Sequence, residues 1–279
     1  MSDLESGVSR HYSAYDVLNR IRAALAEMGY AAGARVPPEV LKPVDEFHIG
    51  GAQATADLLE HLEIGPGTEV LDIGSGIGGP ARAVALRCGC HVTGVDLTPQ
   101  FVETARALSE MSGVAERVRF EVGSATDLPL PDAGFDLALL LHVGMNIRDK
   151  AALFREAHRV LRPGGTFAVY DVMRTGAGEL AFPVPWAETA DLSALEPPEV
   201  YRGCAEAAGF ALLREENRGA IALDFFARIR AQAADAAASP LGLHVLMGPN
   251  VAQKTANMVA AIGAGTIAPV QMIFRSASA

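Results

Sequence analysis

The sequence predicts a doubly wound α/β sheet, and three observations carry that expectation. From about residue 68 onward, short apolar runs alternate with amphipathic ones in the strand-then-helix order of βαβ units. One run, FDLALLLHV at 135–143, is apolar on both faces, as a strand buried inside a parallel sheet has to be. The first run ends in a glycine-rich turn, VLDIGSGIGG at 70–79, with a helical pattern directly behind it.

The elements follow in order. Residues 1–60 read as helical: DVLNRIRAALAEMG puts Val17, Leu18, Ile21, Leu25 and Met28 on one face, the Pro-rich VPPEVLKPVDEFHIGG interrupts, and AQATADLLEHLE resumes the pattern. TEVLDI (68–73) is the first strand, ARAVALRC (81–88) the first crossover helix and HVTGVDL (91–97) the second strand. Pro99 suits a first helical turn behind Thr98, which opens PQFVETARALSEMSG. RVRFEVG (117–123) and FDLALLLHV are the third and fourth strands. AALFREAHRVLRPGG is a helix stopped by Pro163 and Gly164, and TFAVYDV (166–172) is the fifth strand. A Pro/Gly-rich stretch, the helix PEVYRGCAEAAGF, the strand ALLREENRG, a helical insertion at about 222–263 and a last strand APVQMIFRS complete the chain. The expected organisation is one domain: an N-terminal helical region (1–60), a core (61–175) and a third region (176–279).

Composition narrows the function classes. Half of the 279 residues are hydrophobic, and the formal net charge of −10 argues against nucleic acid or an anionic membrane as partner, because both reward a basic face. Cys88, Cys90 and Cys204 lack metal-ligand spacing and read as small buried hydrophobes of a reduced compartment. No carboxylate or histidine cluster has coordination spacing, so no metal is expected. No apolar run suits a signal peptide or a membrane span, and a cytoplasmic location is expected. Oligomeric state leaves no signature.

The chemistry concentrates at the first turn. An apolar strand ends in Asp72, and Gly74, Gly76 and Gly78 follow at G-x-G-x-G spacing, which lets the backbone turn sharply and approach a ligand closely. An acid directly before the turn repels a pyrophosphate but suits a cationic amino-acid ligand. A second acid, Asp96, ends the next strand, where a ribose diol is held. Asp72 and Asp96 together describe a nucleoside with a positively charged tail, and S-adenosyl-L-methionine (SAM) fits.

At this point the sequence resembles the class I SAM-dependent methyltransferases, through VLDIGSGIGG, VTGVDLTPQFVETA, VGSATDLPLPDAGFDLALLLHV and the RVLRPGG turn, over about residues 60–175. The resemblance implies a seven-stranded Rossmann-like sheet. It sets Asp72, Gly74, Ser75, Gly76 and Gly78 against the methionine end of SAM, Asp96 and Leu97 at the ribose, Ser124, Ala125 and Asp127 at the adenine edge, and Leu141 and His142 along the cofactor wall. One position departs from the pattern: the family often has an acid where Ser124 stands, accepting a hydrogen bond from the adenine amino group, and a neutral serine makes a weaker contact.

VDEFHIGGAQATADLL, PVPWA and HVGMNIRDK are similar to a narrower group of small-molecule enzymes, the glycine, sarcosine and dimethylglycine N-methyltransferases, with wider likeness to quinone and sterol C-methyltransferases. The resemblance implies transfer of the SAM methyl to an N or O atom of a small acceptor, leaving S-adenosyl-L-homocysteine (SAH). C-methylation of a lipophilic acceptor is the alternative. A nicotinamide-dependent oxidoreductase and a non-catalytic SAM-binding protein are the readings from other classes.

Candidate residues on the acceptor side each carry two readings. His142 leaves the fourth strand at its carboxyl end, where open α/β sheets place ligands, and is either a base or orienter or a pocket-lining side chain. His48 in EFHIGG either bonds backbone in a turn or leans over the methyl donor. Tyr12 and Tyr15 pack, or point a hydroxyl into the site from a lid that the resemblance implies for the N-terminal segment. Trp186, between prolines, is a candidate pocket wall, and Asn146 a pocket residue; Asp149 reads as a helix cap. Arg35, Arg148 and Arg174 are the candidates for an acceptor carboxylate. Asp45 and Glu46 read as solvated linker acids, and Arg82 and Arg87 as a solvated helix face.

Overall fold

The computed structural model describes residues 5, 7, 16–235, 239–248 and 250–277. Seven strands form one sheet: β1 (Glu69–Ile73), β2 (His91–Asp96), β3 (Val118–Val122), β4 (Phe135–Leu141), β5 (Leu161–Arg174), β6 (Phe210–Asn217) and β7 (Ile267–Ser276). Their order is β3-β2-β1-β4-β5-β7-β6, with β7 antiparallel to both neighbours and the other pairings parallel. Strand order reverses between β1 and β4. The carboxyl ends of those strands therefore flank the crevice where a doubly wound sheet binds ligands.

Period-two alternation in the strands feeds two separate cores. Leu71 and Ile73 of β1 pack, with Ala138 and Leu140 of β4, against α6 (Lys150–Val160) and α7 (Pro198–Ala207). Val70, Leu137 and Leu139 point the other way, onto α3 (Gly51–Leu59), α4 (Gly79–Cys88) and α5 (Pro99–Ser112). Asp149 caps α6 by accepting from the Ala152 N–H at 2.8 Å, as the sequence predicts.

Helices α1 (Val17–Glu27) and α2 (Pro38–Asp45) pack on α5 and on Leu241, Val245 and Leu246 of the insertion, and Asp45 at the end of α2 reaches the carboxyl-end crevice. The insertion itself is helical: α8 (Gly219–Asp235), α9 (His244–Met247) and α10 (Val251–Gly263). Among the described residues no helix is long and apolar enough to cross a membrane.

Two local expectations are corrected. The Pro-rich stretch before His48 is not a break: Pro38 sits in the first turn of α2, where its missing N–H costs nothing, and Pro43 falls near the helix's end. The helix through AALFREAHRV ends at Val160, earlier than RPGG, and Leu161 already pairs with Phe135. Pro163 disfavours helical backbone at the residue before it, so the turn becomes an irregularity inside a long β5.

Candidate functional site

A cavity of about 860 Å³ opens at the carboxyl ends of β1, β2 and β4. Its floor is the turn after β1. Gly74 and Ser75 donate their N–H groups to the Val95 carbonyl at 2.7 and 3.1 Å, which folds the turn back against β2. Gly74 adopts φ +75°, and a Cβ there would lie 2.4 Å from the Val143 side chain, so only glycine fits between β1 and the residues after β4. Gly76, at φ +53°, faces open space, so a ligand can reach its backbone.

Asp96 holds this turn from β2. Its carboxylate accepts from the Gly76 N–H and the Thr98 N–H, both at 2.8 Å, which leaves lone pairs for ligand hydroxyls. Asp72 lies behind the turn and is fully buried. Burial, with Asp96 and Glu46 nearby, pushes its carboxyl up to about 7. Among the described residues, its Oδ2 and the Ser75 Oγ are buried without a hydrogen-bond partner. Three acids facing each other around a glycine turn, with two unsatisfied oxygens, fit a ligand that brings a cation and hydrogen-bond donors.

A second, apolar chamber of about 200 Å³ adjoins the first. Trp186, Met145, Phe225, Phe226, Met247 and Met258 supply much of its wall, so the insertion helices and the 180–190 stretch close it. Trp186 is buried, with its indole N–H donating to Ser193 Oγ at 3.0 Å. Phe47, His48 and His142 line both cavities and form the partition between them.

The partition is rigidly built. His142 has φ +55°, a left-handed conformation that non-glycine residues adopt at a cost of order 1–3 kcal/mol. A carbonyl only accepts, so its Nδ1–H donates to Tyr170 O at 3.1 Å, and Nε2 accepts from the Ile49 N–H at 3.3 Å. Tyr170 OH donates to the Ile49 carbonyl at 3.0 Å, clamping that residue at both backbone groups. Burial first, then His48, lowers His142 to about 3, so its ring is neutral at working pH. His48 meets Thr55 Oγ1 at 3.0 Å, and Thr55 donates to Glu46 Oε2 at 3.0 Å. The Thr55 proton is thus committed to the carboxylate, so His48 Nε2–H is the donor and Nδ1, 3.6 Å from Glu46, carries the lone pair. Burial lowers His48 to about 4 and raises Glu46.

Comparison with known proteins decides the family. A family model described as a methyltransferase domain matches residues 71–169, the segment that builds the turn, Asp96 and the partition histidine. The chain carries a methyltransferase domain. Methyltransferase GfsG of Streptomyces halstedii is 32% identical over 162 residues, covering 58% of this chain and 57% of that protein. Sterol 24-C-methyltransferase ERG6B of Gibberella zeae is 35% identical over 118 residues, 42% of this chain and 31% of that one. The chain therefore spans little more than half of the one curated relative and about a third of the other. In structure it is similar to the [4+2]-cyclase SpnF, at a TM-score of 0.69, 23% identity and coverage of 98% and 97%. That likeness shows the fold alone: a shared sheet does not by itself set the reaction.

The predicted residues fall into three groups. Gly74, Ser75, Gly76, Asp96, Leu97, Ser124, Ala125, Leu141, His142 and Asn146 line the large cavity. Asp72 stands behind it. Gly78 does not line it: a Cβ there would strike Phe120 at 2.6 Å, so this glycine packs α4 against the sheet. Asp127 likewise serves backbone, its N–H donating to the Ser124 carbonyl. Tyr12 and Tyr15 lie outside the described residues.

Three readings of charged residues are corrected. Arg82 is buried, and its guanidinium pairs with Asp45 at 2.5 Å and bonds the Ile77 carbonyl at 2.8 Å, tying α2 to the start of α4; Arg87 is exposed as expected. Asp45 and Glu46 are buried too. Burial raises Asp45 to about 6 despite the Arg82 charge. Sequence reasoning also missed Glu5, which reaches the large cavity, and Phe225 and Phe226; neither position carries a motif, because each acquires its role only from packing.

Proposed function

We propose that this chain transfers the methyl group of SAM to an N or O atom of a small acceptor with a lipophilic body, leaving SAH. The observation that carries the reading is the junction of two unlike cavities at Phe47, His48 and His142, one acid-rich and glycine-floored, the other apolar. Bound SAM supplies an electrophilic methyl on a sulfonium. Asp72, buried behind the turn, would balance the charge of its ammonium, the Gly74–Gly76 turn would meet its methionine backbone and Asp96 its ribose hydroxyls. In-line displacement needs alignment in a dry site above all, and the clamped Ile49–His142–Tyr170 unit gives the chain a stiff wall at the point of transfer.

Where the acceptor carries a proton, His142 Nε2 is the hydrogen-bond acceptor that orients it, since burial holds this ring near 3 and leaves it only weakly basic. It is neutral, and among the described residues its hydrogen-bond partner is the long bond from the Ile49 N–H, which an acceptor N–H or O–H can displace. Arg35 and Arg174 line neither cavity, and Arg148 lines the large cavity and not the apolar chamber, so the chamber itself offers no cation to a carboxylate-bearing acceptor of the glycine type. The same lining favours a second reading, C-methylation of a lipophilic acceptor. The N-terminal helices act in this proposal as the lid over the cofactor.

Thermal-shift titration with SAM, SAH and NAD separates methyl transfer from nicotinamide chemistry: SAM and SAH should stabilise the protein, and stabilisation by NAD alone overturns the reading. Labelled SAM with fractionated metabolites should then label an apolar product, whose new methyl shift by NMR reports N, O or C attachment.

A further inference from the structure

Ser124 is the residue that the methyltransferase resemblance sets at the adenine edge, and its own hydrogen-bonding capacity is used up. Its Oγ lies 2.5 Å from Glu5 Oε1, 2.8 Å from Thr126 Oγ1 and 3.2 Å from the Thr126 N. A serine hydroxyl has one donor and two acceptor lone pairs. The carboxylate only accepts, so the Ser124 proton goes to Glu5, and the Thr126 hydroxyl and N–H both donate to Ser124. Nothing on Ser124 Oγ is left for a ligand.

The acid is supplied from elsewhere in the chain. Glu5 lies 119 residues before Ser124 and lines the same cavity. That cavity runs from Asp96 and Leu97, at the ribose position, past Gly123, Ser124 and Ala125, so a base attached to the ribose enters beside the Glu5 carboxylate. A carboxylate has about four lone-pair directions and can keep the Ser124 bond while accepting another. We propose that Glu5 is the group that recognises the 6-amino group of the cofactor's adenine, with Ser124 and Thr126 orienting its carboxylate; this rests on the SAM reading above. Glu5 then completes the cofactor site.

The test compares binding of SAH and of S-inosylhomocysteine, which carries a carbonyl oxygen in place of the 6-amino group, by isothermal titration. Hydrogen bonds to charged groups correspond to about 10- to 100-fold in affinity, so the wild type should prefer SAH by about that factor. Glu5→Ala should lose most of the preference. Glu5→Gln, whose amide can donate to the carbonyl, should shift it toward the inosine ligand. Glu5→Ala combined with Ser124→Asp should regain it by putting the acid on the strand end. Glu5→Ala retaining the wild-type preference overturns the proposal while leaving the SAM reading intact; a wild type that binds neither ligand overturns both.

Discussion

Binding of SAM or SAH to this chain should be coupled to proton release by Asp72. Burial, with Asp96 and Glu46 alongside, holds the Asp72 carboxyl near 7, well above the ordinary aspartate range. A ligand ammonium beside it restores the charged form, lowering the pKa by roughly 1–3 units. With a bound-state value of about 5, the dissociation constant should rise about 10- to 20-fold from about pH 7.5 to 5.5, equivalent to about 1.4–1.8 kcal/mol. The sign follows from the raised pKa: below about 7 the free protein holds a proton that the complex must expel, so affinity falls as the solution becomes acidic. His48 and His142, lowered to about 4 and 3, stay neutral across this window and contribute nothing to the slope. Isothermal titration of SAH in buffers of different ionisation enthalpy measures both the affinity and the protons released. Asp72→Asn should bind more weakly and lose the acid limb. A flat wild-type profile refutes the reasoning, and an acid limb that survives Asp72→Asn refutes it too and moves the linkage to Glu46 or Asp96.

Three further outcomes follow from the same geometry. His142→Ala should lower turnover by about 100-fold or more while changing SAH affinity little; equal loss of both in kinetics and titration would return His142 to the cofactor wall. Arg82→Met strands the buried Asp45 carboxylate and should cost about 3–5 kcal/mol by chemical denaturation. Asp45 is already raised to about 6 with Arg82 beside it, and losing that charge raises it further; the folded state then takes up its proton before the unfolded one, so the variant should recover stability as pH falls, starting above 6. Tyr201→Phe removes the hydroxyl that donates to Asp171 Oδ2 beneath Gly144 and should cost about 1–3 kcal/mol. The loss should again shrink toward acid pH, since burial holds Asp171 near 7.

How much of this was legible beforehand divides along chain distance. Asp72, Gly74, Gly76 and Asp96 could be grouped beforehand because a strand, a tight turn and the next strand place them within 25 residues, so local backbone geometry alone brings them together. Trp186 was legible as a wall candidate but not as a fully enclosed one, because the residues around it come from α10 and from the turn after β4. Tyr12 and Tyr15 lie outside the described residues.

By itself the sequence determined the seven strands, the crossover helices, the glycine turn and the cofactor class, since all of these follow from periodicity of two or 3.6 and from short-range turn chemistry. Only tertiary structure decided the charges and the acceptor side. Arg82 reads as a surface residue until Asp45, 37 positions away, is folded against it. Ser124 reads as a weak substitute until Glu5 arrives from the N-terminus. The apolar chamber exists only where five separate stretches of chain converge. A side chain's charge state and accessibility depend on what surrounds it, and that is set by contacts between residues whose spacing along the chain carries no pattern.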